Sequence, residues 1–418
     1  MKPTVLAVNP GSSSLKFALF ELDIATGRPE RHALLTGAVD RMGTPHAALR
    51  WTCSAGKTGE TAVPGIGMAD AWSAVQRSLV GAPLPIAIVC RVVHGGGRFT
   101  KPIRVTGAIT SAIRGFADMA PVHIPPACDL LEQMLRRRPV LPVFAVFDTA
   151  FHAEMPDLAQ AYGLPHELVE GRKIRRYGFH GIAHQFVSGR LMELVHPSQP
   201  GLRTVTCHLG SGASLSAELD GVSIDTTMGF SPLEGLMMER RSGDIDPGLV
   251  LYLLRTGMTS KRLYQLLNAE SGMLGISGRS GDVRDLEASA ASGDDRSRLA
   301  LAVFAYRAAK ALAGMVVALG GVDAIAFHGG IGQHSPEMRG RICGYLECLG
   351  IHLDERSNGG ADGATESLIS ATGSKAEVWV VPADEEYAMT MQASALLANG
   401  PTATTARSRS AALAQASA

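Results

Sequence analysis

Charged and polar side chains stand beside short apolar runs in this chain, and their types suit chemistry on anions. In CRVVHGGGRF, residues 90–99, Arg91 follows an apolar run and precedes three glycines. A guanidinium at a strand end beside pliant backbone suits a phosphate or a carboxylate. The alternative is an arginine whose stem packs while its head reaches water. Arg240 and Arg241 in MMERRSGDIDPG, residues 237–248, offer a second such position, or a solvated turn. Asp148 follows the apolar run of VFAVFDTAFHAEMP, residues 143–156. Acidic residues at α/β strand ends often face a ligand crevice, although Asp148 or Thr149 could also cap a helix. His180 and His184 in RRYGFHGIAH, residues 176–185, are four apart and share one face of any helix there. A zinc protease would need Glu after the first histidine, where Gly181 stands. His180 as a donor to a reacting group is the better functional reading, with a satisfied structural histidine as the alternative. Asp384, Glu385 and Glu386 in VVPADEEYAM, residues 380–389, could hold Mg²⁺ through water, or begin a helix whose dipole favours them. Asp282 and Arg284 sit in the polar stretch SGRSGDVRDL, residues 277–286, which also reads as a plain surface loop.

Small, polar turns accompany these residues. VNPGSSSLKF, residues 8–17, lies between the apolar run Val5–Val8 and a stretch in which Leu15, Phe17 and Leu19 alternate with their neighbours. Strand, turn, strand is the expected local structure. The turn suits an anion through its N–H groups and hydroxyls, or is an ordinary hairpin turn. TVTCHLGSGASLSAEL, residues 204–219, repeats that plan, and DAIAFHGGIGQHSPE, residues 323–337, runs from a strand through glycines into a helix. Two related hairpins predict a duplicated architecture with a cleft between its halves. Neither a P-loop nor a dinucleotide-binding fingerprint is present.

The elements that must position these groups alternate between strand and helix, which argues for α/β layering. Strands are expected at 86–93, 143–147, 204–209, 324–327 and 378–381. Helices are expected at 127–136, 247–255, 298–319 and 336–349, the last with Ser335 as N-cap and Pro336 at its first position. With 418 residues, two domains are the default. Charges balance at 39 basic and 39 acidic residues, so a nucleic-acid partner is disfavoured. The N-terminus reads as a strand rather than a signal peptide, and no uninterrupted apolar run reaches membrane-spanning length. Six cysteines without C-x-x-C spacing, most of them in apolar segments, predict buried free thiols in a reducing cytoplasm, and a zinc site is disfavoured. The tail 401–418 is low in large apolar residues and is expected to be disordered.

Taken together, the motifs resemble the acetate kinase family, within the acetate and sugar kinase, Hsc70 and actin superfamily. VNPGSSSLKF is similar to that family's first signature and FDTAFHAEMP, followed by YGLP, to its second. RVVHGG, RRYGFHG, CHLGSGAS, MGFSPLEGLMM, RSGDIDPG, GISGRSGDVRDL, GGIG and PADEE resemble further family blocks in the same order, up to about residue 395. The resemblance implies a duplicated two-domain actin-like ATPase (ribonuclease H-like) α/β fold with a central active-site cleft. It implies an N-terminal lobe at 1–149, completed by about 386–400, and a nucleotide-binding lobe at 150–385. The implied reaction is reversible transfer of the ATP γ-phosphoryl group to acetate, giving acetyl phosphate and ADP, a step in acetyl-CoA biosynthesis.

Carried over by position, Asn9 and Glu385 would organise Mg²⁺, with Mn²⁺ as an alternative. Arg91 and Arg241 would bind the acyl carboxylate or the transferring phosphoryl group, Asp148 would position substrate and metal, and His180 would donate to the transferring group. Val93, Val122, Phe179 and Pro232 would line a pocket for the methyl group. Nucleotide contacts would come from Lys16, His208, Gly210, Ser211, Gly212, Asp282, Val283, Arg284, Gly329, Gly330, Ile331 and Gly332. The resemblance also implies a cytoplasmic homodimer without nucleic-acid or membrane partners. The chain departs from the family pattern at Val89 and Cys90 before Arg91, at Ser211 in place of Asn, and at Gln333 and His334 in place of Glu-Asn. Arg240 replaces a small polar residue, Val122 a Leu and Ile124 an Asn. A methylene is worth only about 1–3 kcal/mol of discrimination, so propionate kinase is a competing reading. A sugar kinase fits less well, because a hydroxyl acceptor wants a carboxylate base. A nucleotide-dependent binding module of the superfamily would turn over ATP without an acyl acceptor.

Overall fold

Val5 to Val8 carry side chains that are apolar on both faces, and such a run is stable only as a central strand covered on both sides. It forms β1 (Thr4–Pro10), every residue of which is buried. The computed structural model describes all residues except 1, 12, 24–25, 80, 138–140, 196–199 and 400–418. The expectation for the tail 401–418 therefore lies outside the described residues. The chain separates into two compact units, Met1–Ala150 with the segment from Asp384 onward, and Phe151–Ala383. Asp384 and Glu385, expected with the second lobe, thus group with the first unit, because the helix they begin packs on that unit's sheet.

The first unit is built on eight strands: β1, β2 (Leu15–Glu21), β3 (Leu35–Asp40), β4 (Ala48–Cys53), β5 (Thr58–Ala62), β6 (Pro85–Val92), β7 (Ile103–Arg104) and β8 (Val143–Phe147). Their order is β5-β4-β3-β2-β1-β6-β8-β7. β1 runs antiparallel to β2 and parallel to β6, which is parallel to β8. Phe17, Trp72, Leu130 and Phe147 belong to one buried cluster in this unit. The helix Glu385–Asn399 packs on β1, β2, β6 and β8.

The second unit has six strands: β9 (Arg203–Leu209), β10 (Ala213–Leu219), β11 (Val222–Thr226), β12 (Ala324–His328), β13 (Ser367–Leu368) and β14 (Glu377–Val380). Their order is β11-β10-β9-β12-β14-β13. The hairpin β9–β10 is antiparallel, while β9–β12 and β12–β14 are parallel. Both sheets thus share one plan: an antiparallel hairpin whose first strand continues into parallel neighbours. The helix Gly181–Leu194 covers β9 and β12, with Val187 and Leu191 packed into a cluster with Ala324 and Ala326. The helix Asp295–Leu319 lies against β9, β10 and β11. It is long and apolar enough to cross a membrane, yet it packs here as a core helix with Leu301, Phe304 and Leu312 buried.

Several expected boundaries shift. The expected helix 127–136 starts earlier, at Ile124, with Pro125 and Pro126 in its first turn where a missing N–H costs nothing. The expected helix 298–319 starts at Asp295, because the Asp294 side chain accepts from Ser297 N and caps it. The expected helix 336–349 ends at Gly344, and Glu347–Leu349 is a separate 3₁₀ turn. Gly340 and Gly344 lower the helix propensity there. Ser335 Oγ accepts from Met338 N at 3.0 Å, as a cap should. Ser335→Ala is expected to lower stability by about 1 kcal/mol, read as a lower urea midpoint.

Candidate functional site

In the first unit, the last residues of β1 and β6 and the residue after β8 bring three distant polar side chains to one place. Arg91 Nε donates to both Asp148 oxygens at 2.9 and 3.0 Å, and its Nη2 donates to Asp148 Oδ2 at 2.5 Å. Arg91 Nη1 donates to Asn9 Oδ1 at 3.1 Å. The Asn9 amide in turn donates to Glu385 Oε2 at 2.8 Å and to Glu386 Oε1 at 2.9 Å. Asp148 is 1% exposed and the Arg91 side chain 15%. Burial opposes the charge on Arg91, but Asp148, with Glu385 and Glu386 behind it, holds the guanidinium above its ordinary pKa. No helix begins at Asp148. Thr149 Oγ1 instead accepts from Gly95 N at 3.0 Å, pinning the glycine turn after β6. Asp384 caps the helix Glu385–Asn399 by accepting from Tyr387 N at 2.9 Å.

Burial, then the charge of Glu385, pushes the Glu386 carboxyl up, while Asn9 and Lys16 oppose the shift. Lys16 is exposed and registered opposite Asn9 on β2. Glu385 and Glu386 are half-buried and joined through the Asn9 amide, and two carboxylates held together suit a hard cation. Mg²⁺ needs only one or two protein carboxylates, completing its shell with phosphates and water. Glu385 supplies such a carboxylate beside the Asn9 amide, and among the described residues no cluster of three His, Cys, Asp or Glu forms a larger cage.

In the second unit, His180 precedes the helix Gly181–Leu194 with φ 56° and ψ 20°, a left-handed conformation uncommon outside glycine. Such strain gathers at functional positions. A Cβ added to Gly212 would lie 2.7 Å from Arg241 Nη2 and 3.2 Å from His180 Nε2. The glycine therefore lets a guanidinium and an imidazole approach the same loop. Arg241 Nη1 donates to the Pro232 carbonyl at 2.7 Å. Arg240 turns elsewhere, to the Ala269 carbonyl at 3.1 Å, so the two adjacent arginines separate by partner. His208 stacks on His180 with ring centroids 4.2 Å apart. His208 and His328 are register partners at the ends of β9 and β12.

The two glycine turns meet. A Cβ on Gly210 would come within 3.8 Å of Gly330 N, and one on Gly329 (φ 76°) would strike the Leu209 carbonyl at 2.7 Å. Gly329, Gly330, Ile331 and Gly332 open the helix Gly329–His334. Ser211 is exposed and its carbonyl accepts from Glu239 N at 3.3 Å.

The remaining expected site residues have the following surroundings. Asp282 caps the helix Val283–Ala291 and pairs with Arg284 through Nε at 3.0 Å and Nη2 at 2.5 Å, while Val283 is buried. In the first unit Val93 is buried and Val122 is 46% exposed. In the second, Phe179 is buried and its carbonyl lies 3.2 Å from His152 Nε2.

The structure adds a polar layer that motif reading passes over. Thr204, Thr206 and His208 on β9 are registered with Glu218, Ser216 and Ser214 on β10, and so share one face. Alternation of this kind reads as a water-facing surface, but the helix Gly181–Leu194 covers it. Glu218 is wholly buried, and burial pushes its carboxyl up to about 8 against the hydrogen bonds it accepts. His184 is held neutral well below its ordinary pKa by burial, then by His328, His152 and His208. Both ring nitrogens of buried His328 lack a hydrogen-bond partner, and burial likewise holds it neutral. The available signal was the run of hydroxyl and acidic residues at every second position.

Comparison with known proteins places the whole pattern. The model of the acetokinase family matches residues 4–391. The acetate kinase of Deinococcus radiodurans is 43% identical over 385 residues, covering 91% of this chain and 95% of that protein. That of Rhodopseudomonas palustris is 41% identical over 393 residues, covering 92% and 96%. The crystal structure of Porphyromonas gingivalis acetate kinase superposes with a TM-score of 0.82 at 33% identity, covering 93% of this chain and 98% of that one. A propionate kinase structure from Francisella tularensis gives a TM-score of 0.85 at 32% identity with the same coverage.

The raised Glu218 carboxyl makes a stability prediction. A folded pKa of about 8 against an ordinary 4.5 means that this group's contribution is fully present below 4.5 and is lost as pH rises through about 8. Glu218→Gln should remove that loss, so its urea midpoint should fall less than that of the parent over this interval.

Proposed function

The chain belongs to the acetokinase family, and from that membership we propose that it is an acetate kinase, transferring the ATP γ-phosphoryl group to acetate. An acetate oxygen forms a bond to the γ-phosphorus as the bond to the β,γ-bridging oxygen breaks, and ADP leaves with that electron pair. Acetate is already ionised near neutral pH, so no general base is required. The obstacle is repulsion between an anionic nucleophile and a triphosphate. Phosphoryl transfer is accordingly catalysed mainly by positioning and electrostatics.

The observation that carries this reading is the oriented Arg91. Its fork is locked by Asp148 and Asn9, which presents a cation of fixed direction. We assign Arg91 and Arg241 to the charge of the acyl carboxylate and the transferring phosphoryl group. His180 donates to the transferring group from beside the Gly212 loop, and Asp148 keeps Arg91 in place. Gly210–Gly212 and Gly329–Gly332 border the nucleotide. Asp282, Val283 and Arg284 are assigned to the adenosine end, and Lys16 and His208 to the phosphates. Val93, Val122, Phe179 and Pro232 are assigned to the methyl group. Glu385 and Asn9 would hold Mg²⁺, which neutralises phosphate charge when bound. The family resemblance also supports a homodimer located in the cytoplasm.

A hydroxamate trap for acyl phosphate tests the reaction: product forms with acetate and ATP, and ATP hydrolysis indifferent to acetate would overturn it. Arg91→Ala and Arg241→Ala are each expected to cut kcat about a hundredfold or more, with circular dichroism reporting an intact fold. The likeness to a propionate kinase structure at a TM-score of 0.85 supports a second reading. The kcat/KM ratio for acetate over propionate separates the two, and a ratio below one would favour propionate.

A further inference from the structure

A continuous file of side-chain hydrogen bonds runs from Glu218 to His180. Thr206 Oγ1 lies 2.7 Å from Glu218 Oε1 and 2.7 Å from His184 Nδ1. Ser214 Oγ lies 2.7 Å from His184 Nε2 and 2.9 Å from His180 Nδ1. Glu218, Thr206, His184 and Ser214 are wholly buried, so water does not compete along the file. Thr204 Oγ1 donates to the other Glu218 oxygen at 3.0 Å. We propose that Glu218 is a positioning residue that sets, through Thr206, His184 and Ser214, which ring nitrogen of His180 carries hydrogen. The proposal rests on the reading of His180 as a donor to the transferring group.

The direction follows from proton counting. Each hydroxyl has one hydrogen to donate, and neutral His184 has one N–H. When Glu218 is protonated, it donates to Thr206, Thr206 to His184 Nδ1, His184 Nε2–H to Ser214, and Ser214 to His180 Nδ1. The hydrogen of neutral His180 is then on Nε2, the nitrogen that faces the Gly212 loop beside Arg241. If the shared proton instead rests on His180 as imidazolium, with Glu218 ionised, Nε2 still carries hydrogen. Loss of one proton reverses the file. It leaves from Nε2, each remaining proton moves one bond along, and Glu218 becomes a carboxylate. His180 then donates from Nδ1 to Ser214, and Nε2 presents a lone pair, which repels a phosphoryl oxygen.

The raised Glu218 carboxyl, at about 8, places this reversal just above neutral pH. Among the described residues, few other titratable groups face the file. His152, His208 and His328 pack on His184, and Arg241 and His208 stand beside His180. Cys207 on β9 responds to Glu218, but burial holds its thiol protonated. On β11, Ser223 is registered with Glu218 and lies 2.8 Å from His152 Nδ1, and Asp225 is registered with Ala217 on the opposite face. From the helix Asp295–Leu319 the buried face is apolar, with Leu301, Phe304 and Leu312.

The test is kcat against pH, from about 6 to about 9.5, for the parent, Glu218→Gln and Thr206→Val. A glutamine amide donates to Thr206 at every pH, so Glu218→Gln should keep kcat at about pH 7 within roughly threefold and lose the alkaline decline. Thr206→Val should also lose that decline while its stability still falls as Glu218 ionises, which separates a relay from a merely structural acid. An alkaline decline identical in the parent and Glu218→Gln would overturn the proposal. Long-range ¹H–¹⁵N correlation spectra of His180 give a readout independent of turnover. Hydrogen on Nε2 at about pH 7 moving to Nδ1 at about pH 9.5 in the parent, and staying on Nε2 in Glu218→Gln, is the expected result. A tautomer insensitive to both pH and substitution would overturn the proposal even if no acyl phosphate were formed. Absence of acyl phosphate with the tautomer switch intact would overturn only the kinase reading.

Discussion

A guanidinium drawn largely out of water must be answered by carboxylates, and in the first unit that requirement organises everything around Arg91. Asp148 answers it through Nε and Nη2, and Asn9 carries the interaction on to Glu385 and Glu386. The partners arrive on the ends of β1, β6 and β8 and on the helix Glu385–Asn399. Removing one member of such a buried pair commonly costs about 3–5 kcal/mol, because the other charge is stranded. Such a pair is weak as a source of net stability and strong as a source of fixed direction. Directing a cation, rather than supplying a base, is what transfer between two anions demands.

The second unit solves a related problem with neutral groups. Here Thr204, Thr206, Ser214, Ser216 and Glu218 of the β9–β10 hairpin and His184 of the helix Gly181–Leu194 are buried together. Burial favours uncharged forms, so Glu218 is shifted up while His184 and His328 are shifted down. A file of neutral donors and acceptors in a dry layer has few permitted orientations. That restriction makes the proton inventory of His180 a property of the whole layer.

Glycine marks the positions where backbone or charge must come close. Gly212 leaves room for Arg241 and His180, and Gly329 for the Leu209 carbonyl. Composition alone read these as turn residues. Their reason lies in what a side chain would have struck, which depends on elements distant in the chain.

Much was legible in the sequence because it is local. Apolar runs specified β1, β6, β8, β9 and β12 within a few residues, the cap at Ser335 was readable from Ser-Pro-Glu, and long motifs carried the family. Arg91, Asp148, His180 and Arg241 were marked by type and place. Tertiary structure alone decided the pairing of Arg91 with Asp148 and Asn9, since those residues are separated by 57 and 82 positions. It alone gave Arg240 and Arg241 their separate carbonyl partners, and showed the alternating polar face of β9 and β10 to be covered rather than wet. A period of two reports only that two faces differ. Which face meets water depends on the helix laid across it, and nothing within either strand encodes that.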